Sequence, residues 1–349
     1  MGHRKTGKQT ITFTNSPRVV AAGTVVGHFE EQGALSGHFD KVITDDKWGE
    51  KSFELCERKM YENAVCIAIE KAGKTTQDVD VLLGGDLLNQ IISAGYAARS
   101  LELPFLGLYG ACSTIIEASL VGSILVDSEC ANSVACAASS HFSTAERQFR
   151  MPLELGTQPT PTAQRTVTGA GCLLISKDSD NTSKATQPEC FENVYITQAT
   201  IGRVVDLGIT DGNNMGAAMA PAAADTLLMH LEDTGHSVND YDLIVTGDLG
   251  TFGSKMFYML CEEKGVSVAD LHLDCGTTIY LPSQKVVCGA SGCGCASVVL
   301  GSYLLKRIEA GDIKKIFMMA TGALMSPVAG LQGETIPGIA HGIVLERRA

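Results

Sequence analysis

Short apolar runs alternate with longer amphipathic stretches along most of this chain. The runs 80-DVLLGGD-86, 133-SVACAASS-140, 171-GCLLISK-177, 242-DLIVT-246, 315-KIFMMATG-322 and 342-GIVLERR-348 are brief and nearly continuous in apolar or small residues. That is the pattern of strands buried on both faces. Between them, 54–71, 110–125, 218–233 and 289–305 carry helical patterning. Strands that alternate with helices predict an α/β architecture, with sheets covered by helices.

The pattern occurs twice. The segments 70-EKAGKTTQDVDVLLGGDL-87 and 232-EDTGHSVNDYDLIVTGDL-249 align without a gap at an offset of 162 residues, with seven of 18 positions identical. Each reads as a helix end, a Gly stop, a polar turn, a buried strand and a Gly-Asp at the strand's carboxyl end. Helices precede both segments. A Gly-rich turn with an apolar helix follows each, and each half closes on a strand. A unit this long predicts a domain duplication rather than a solenoid. The expected halves are 1–180 and 190–349, joined by the polar stretch 177-KDSDNTSKATQPE-189 and packed as an αβαβα sandwich around a pseudo-twofold axis. Residues 142–166, with Pro152, Gly156, Pro159 and Pro161, read as a long inserted loop. Such loops inside compact domains are usually functional.

Composition narrows the choices. With 349 residues, 45% of them hydrophobic, the chain has material for a large core. A formal charge of −12 with scattered Lys and Arg disfavours nucleic acid, which needs clustered cations. Residues 1–10 are polar and basic without a following apolar region, so no signal peptide is expected. No apolar run approaches the roughly 18 residues of a membrane span. The twelve cysteines lie mostly in apolar runs and read as small buried residues, not as disulfide partners.

The chemistry centres on 110-GACSTIIEASLVGSIL-125. Cys112 stands where an amphipathic helix begins. Free N–H groups and the helix dipole there lower a thiol pKa. The alternative is a small buried residue at a tight junction. The matching 288-CGASGCGCAS-297 has three cysteines, but neither the spacing nor a histidine expected of a zinc site. Two Gly-rich helix starts facing one central cavity would suit an anion, and a ligand with two carboxylates would match the symmetry. Ser113 would contribute its backbone N–H. His141 ends a strand and enters the long loop, with Glu146, Arg147 and Arg150 behind it; His141 and either arginine could supply positive charge. His341, in a Gly-rich turn before the last strand, could face the same cavity. Asp86 sits at a strand end and would shape the wall, whereas Asp248, its equivalent, reads as structural.

The arrangement resembles the thiolase fold of thiolases and ketoacyl synthases, in which a nucleophilic Cys starts a helix of the first half. Within that superfamily it most resembles the stage V sporulation protein AD family of spore-forming bacteria. The resemblance rests on GGDLLNQ at 84–90, GACST at 110–114, SSHFSTAERQFR at 139–150, GRVVDLGITD at 202–211, MAPAAADT at 219–226, SGCGCAS at 291–297, ATGALMSP at 320–327 and IPGIAHG at 336–342. It implies a membrane-associated complex that moves dipicolinic acid, a pyridine dicarboxylate, into the forespore, with this chain holding dipicolinate, alone or as its calcium chelate, in the pocket that condensing enzymes use for catalysis. The expected partners are other stage V sporulation membrane proteins, and the expected place is the periphery of the inner spore membrane. No cofactor or metal site is expected.

The resemblance also shows what is missing. In ketoacyl synthase III-like enzymes a His follows the strand that here reads 242-DLIVT-246, and Gly247 and Asp248 occupy that place. Their Asn lies in the turn that here reads ASGCG. Losing a general base and an oxyanion donor would each cost on the order of 10²–10⁴ in rate. A binding protein with a decayed active site is therefore the leading expectation. The rivals are an acyltransferase using Cys112, and a scaffold without small-molecule affinity. A homodimer and a pseudo-dimeric monomer both stay open.

Overall fold

The computed structural model describes residues 5–15, 17–149, 160–177 and 190–348. The first half supplies strands β1 (Arg18–Val26), β2 (Val81–Asp86), β3 (Phe105–Gly107), β4 (Ser133–Ser140) and β5 (Gly169–Ser176). The second supplies β6 (Val194–Thr200), β7 (Leu243–Thr246), β8 (His272–Asp274), β9 (Lys315–Ala323) and β10 (Gly338–Arg347). The strand order is β8-β7-β9-β10-β6-β1-β5-β4-β2-β3. Read outward from the centre, β1-β5-β4-β2-β3 repeats as β6-β10-β9-β7-β8, so one topology occurs twice about the β1/β6 junction. In each half the three outer strands and the one beside them mix parallel and antiparallel pairs in the same way.

The residues shared by the two aligned segments explain the repeat locally. Thr75 with Asp78, and Ser237 with Asp240, form matching capping boxes on one-turn 3-10 helices. Asp80 accepts from the N–H groups of Asn132 and Ser133 at 2.6 and 3.0 Å. Asp242 accepts from those of Lys314 and Lys315 at 2.6 and 2.9 Å. Each aspartate thus ties the entry of its strand to the entry of the neighbouring strand.

Helices α1 (Phe53–Lys71) and α2 (Ile92–Leu101) cover the outer face of the first half. Helix α3 (Thr114–Asp127) packs on β2 and β4 of its own half and on β9 and β10 of the other. Its mean character is apolar all round, as a helix buried between two sheets requires. A short helix, α4 (Phe142–Phe149), follows β4. Helices α5 (Met215–Thr234) and α6 (Gly250–Glu262) cover the second half, and α7 (Cys293–Val299) lies beside α3 in the middle layer. The layers are therefore αβαβα. The helix expected over 289–305 starts at Cys293, passes through a π turn at Leu300–Leu304 and ends at Ala310. Gly301 in that turn faces Thr24, where a Cβ would stand 2.9 Å from a methyl.

The expected loop over 142–166 begins instead as α4. Ala145 N–H and the Thr144 hydroxyl both reach His141 O, which starts the helical turn. Residues 150–159 and 178–189 lie outside the described residues; Arg150 and nearly all of the linker fall there. All twelve cysteines are free thiols. Among the described residues, no helix is long and apolar enough to cross a membrane.

Candidate functional site

Cys112 sits in a turn that the other half of the molecule holds in place. Ala111 takes a left-handed φ of 50°, a conformation uncommon for a residue with a Cβ. Gly322, on β9, abuts the turn so closely that a Cβ there would lie 2.2 Å from Gly110 O. From α7, Cys293 Sγ donates to Ala111 O at 2.9 Å. The two Gly-rich helix starts thus meet, as the repeat predicts. The strained residue ahead of Cys112 is over-determined by packing from β9 and α7.

In front of the thiol is a cleft with about 30 Å³ of free volume, roughly a water's share of the liquid. Its walls are Leu87 and Tyr109 on one side, Ala145, Glu146 and Phe149 of α4 on another, and Met215, Ala323 and Met325 from the second half. Thr166 and Ser291 complete it, on neighbouring two-residue strands paired in parallel. Outside lies a groove of about 400 Å³. Tyr109, Phe149 and Met325 line both spaces, so these three side chains are the partition between them.

Beneath Cys112 is a relay. The Ser291 hydroxyl donates to Asp248 Oδ2 at 2.9 Å, and Cys112 Sγ lies 3.8 Å from Ser291 Oγ. Ser291 has one proton, so with that proton on Asp248 it is the acceptor for Cys112 S–H. Asp248 also accepts from Gly292 N–H at 3.1 Å and from the Thr321 hydroxyl at 2.7 Å. Burial raises its pKa, and these hydrogen bonds oppose the rise. The Cys112 thiol is pushed well above its ordinary range, first by burial and then by the charge of Asp248. The helix start was expected to favour thiolate; desolvation and a neighbouring carboxylate outweigh it.

The remaining candidates scatter. The Ser113 N–H donates to Gly110 O at 3.0 Å, and its hydroxyl donates to the same oxygen at 2.7 Å. The amide expected to meet a carboxylate is thus spent inside the turn. His141 is fully buried but does not line the cleft. Its Nδ1 accepts from Ser143 N–H at 3.1 Å, which leaves Nε2 as the donor to Asp46 O at 2.8 Å. Burial lowers its pKa, so it is a neutral brace rather than a cation. Arg147 turns outward, half exposed, to pair with Glu54. His341 Nδ1 accepts from Gly202 N–H at 3.2 Å on β10, away from the cleft lining, and burial lowers its pKa to about 4. Asp86 is buried behind Leu87, accepting from Leu88 and Ala94 N–H at 2.8 Å each, and so caps α2. Of the candidates among the described residues, only Cys112 is on the wall. Among the described lining residues there is no Lys, Arg or His.

Residues not anticipated as site members are Asp248, Ser291, Tyr109, Phe149, Met215 and Met325. The first two had a signal: the resemblance implies a condensing enzyme's His at 247–248 and its Asn within the turn 290–294. The apolar ones had none, because their convergence depends on how α4, α5 and β9 meet.

A five-layered αβαβα duplication with a Cys-bearing turn held between the halves is the thiolase-like fold. Solved structures agree. The chain matches 3-oxoacyl-[acyl-carrier-protein] synthase III from Aquifex aeolicus with a TM-score of 0.57 at 14% identity, over 95% of this chain and 100% of that one. It matches human mitochondrial 3-ketoacyl-CoA thiolase with a TM-score of 0.57 at 12% identity, over 96% and 99%. The family profile described as "Stage V sporulation protein AD" matches residues 7–346. The chain is also 47% identical over 342 residues to stage V sporulation protein AD of Bacillus subtilis strain 168, covering 98% of each. The chain belongs to the stage V sporulation protein AD family.

Proposed function

We propose that this chain is a non-catalytic binding protein for dipicolinate in a sporulation complex, with the ligand held in the cleft before Cys112. The observation that carries the reading is the relay from Cys112 through Ser291 to Asp248. A nucleophilic thiol needs a partner that takes its proton and leaves thiolate. Here the neighbouring group is a buried carboxylate whose charge disfavours a second anion beside it. The reading is supported by the lining of the cleft, where no imidazole stands among the described residues to run a condensing enzyme's chemistry.

The cleft as it stands has room for a water but not for a pyridine ring. Entry therefore requires Phe149, Tyr109 and Met325 to part, merging the cleft with the outer groove. Aromatic and thioether walls suit a flat ring. The chain acts as a peripheral component, handing its ligand to membrane partners of the same complex; whether calcium accompanies the ligand is decided by titration with and without that ion.

Acyl transfer is the second reading, favoured by the left-handed Ala111 that presents Cys112 at a helix start. It requires a stable acyl-Cys112 adduct after incubation with acyl-coenzyme A, detected by mass spectrometry.

The test of the main reading is titration calorimetry with dipicolinate. Saturable one-to-one binding is expected, weakened about tenfold or more by Met215→Trp, which fills the cleft; tenfold is about 1.4 kcal/mol. No saturable binding by calorimetry and by equilibrium dialysis would remove the reading.

A further inference from the structure

Behind two walls of the cleft lies a pair of buried acids that the proposed function does not use. Glu57, on α1, and Asp86, at the end of β2, are both 0% exposed. Glu57 holds the entry to α4. Its Oε1 accepts from the Ser139 hydroxyl at 3.1 Å, and its Oε2 lies 2.7 Å from Thr144 Oγ1. Asp86 holds the turn that follows Leu87, a strained segment in which Gln90 and Ile91 both have positive φ. Gln148 joins the two walls, donating from Nε2 to Leu87 O and accepting at Oε1 from Asn89 N–H, each at 3.0 Å.

Hydrogen-bond counting places a proton on Glu57. The Thr144 hydroxyl lies 3.0 Å from His141 O as well as 2.7 Å from Glu57 Oε2. One hydroxyl proton cannot serve both oxygens. A proton on Glu57 Oε2 resolves this: Glu57 donates to Thr144, which donates to His141 O. Asp86, surrounded by N–H donors, is the ionised member. Burial first, and then the charge of Asp86, favour the protonated form of Glu57.

No compensating cation faces the pair among the described residues. The titratable groups that feel it are Cys56 and Tyr61 on α1, Tyr109 ahead of the Cys112 turn, and Cys293 on α7, all with raised pKa values and therefore neutral. His141, which begins α4, is neutral as well.

We propose that the Glu57–Asp86 pair is a proton latch on the cleft: the proton that Glu57 donates to Thr144 holds α4 against the 87–94 turn, and its loss leaves two buried charges that separate them and open the partition. Two buried carboxylates without a cation repel strongly in a medium of low polarity. The Gln148 tie is the contact that yields, and it connects the backbone of the turn to the helix that carries Phe149. The latch rests on the proposed cleft being the ligand site, but it can be read without any ligand.

Amide hydrogen exchange followed by mass spectrometry, from pH 6 to 9.5, tests it on the full chain. After correction for intrinsic rates, peptides covering 87–94 and 142–149 lose protection together as pH rises, whereas α3 peptides do not. Glu57→Gln, which donates and accepts like the protonated acid, keeps both protected throughout. An unchanged profile in the wild type overturns the latch, whether or not the variant folds. So does an identical pH-dependent loss in Glu57→Gln. Dipicolinate is fully ionised over this range, so its binding is measured in parallel. Paired loss of protection without dipicolinate binding at any pH leaves the latch standing and removes the proposed ligand. Dipicolinate binding with equal pH profiles in both proteins removes the latch and keeps the ligand.

Discussion

The two Gly-Asp-Leu strand ends, Gly85-Asp86-Leu87 and Gly247-Asp248-Leu249, share their sequence and their place in the repeat but not their work. Asp86 takes backbone N–H groups, and its strand neighbour Ser139 bonds a second buried acid, Glu57. Asp248 takes two hydroxyls and one N–H, and through Ser291 it governs a thiol from the other half. A duplicated fold supplies the same carboxylate at two equivalent points. What each carboxylate does depends on the donors that the rest of the molecule brings to it.

The strongest test of this contrast is Asp248→Ala. It leaves the Ser291 and Thr321 hydroxyls and the Gly292 N–H without an acceptor in a fully buried place, at about 3 kcal/mol or more. Asp86→Ala leaves the Leu88 and Ala94 N–H donors without their acceptor but also relieves the repulsion on Glu57, so its expected cost is about 1–2 kcal/mol. Denaturant midpoints measure both. A larger loss for Asp86→Ala would break the comparison.

The next largest effect is steric. Gly322→Ala would put a Cβ against Gly110 O and displace the Cys112 turn. Overpacking of this kind costs about 1–3 kcal/mol. Dipicolinate affinity is expected to fall with it, read by denaturation and calorimetry on one preparation.

The acids also set a pH dependence. Folding raises Glu57 from 4.5 to about 8, so between those values the folded state binds the more protons. Stability must then fall as pH rises from about 4.5 through the folded value. Other buried acids add to this slope, so Glu57→Gln is the control. The wild type should lose stability relative to that variant by up to about 1.4 kcal/mol per pH unit within the window, and nothing further above it. Parallel stability–pH curves would refute the assignment.

At Asp248 the smaller readout is thiol reactivity. Cys112 should alkylate at least about tenfold more slowly than exposed Cys130 at pH 8, and Asp248→Asn should speed Cys112 selectively. Asp86→Asn should not. The smallest effect is Arg147→Ala, which breaks an exposed ion pair with Glu54: below about 0.5 kcal/mol, with dipicolinate affinity unchanged. A marked loss of affinity would return Arg147 to the site.

How much was legible from residues alone varied by level. Strand β4 was placed to the residue, and the cores of β2, β5, β7, β9, β10, α1 and α5 were placed with their ends off by a few positions. Buried strands and helices carry their period in the sequence, whereas ends depend on caps. Helix α4 was missed because Pro152, Pro159 and Pro161 coloured the whole of 142–166 as loop, although His141 and Thr144 offered a local start. The site was less legible. His141, Arg147 and His341 were chosen as polar residues near strand ends, and each is spent on a backbone group or on a surface partner. Glu57 carried no mark at all, since one acid on an amphipathic helix ordinarily faces water.

The sequence by itself determined the duplication, the alternation of strand and helix, and the Cys112 turn. These are local or periodic properties, set by backbone preference and side-chain burial within a few turns of chain. Only the tertiary structure decided that Asp248 lies under Cys112, that Glu57 bonds Ser139 beside Asp86, and that Phe149, Tyr109 and Met325 close the cleft. Each of these joins residues far apart along the chain, and a buried carboxyl's chemistry follows from the donors and charges that packing brings within a few ångströms of it.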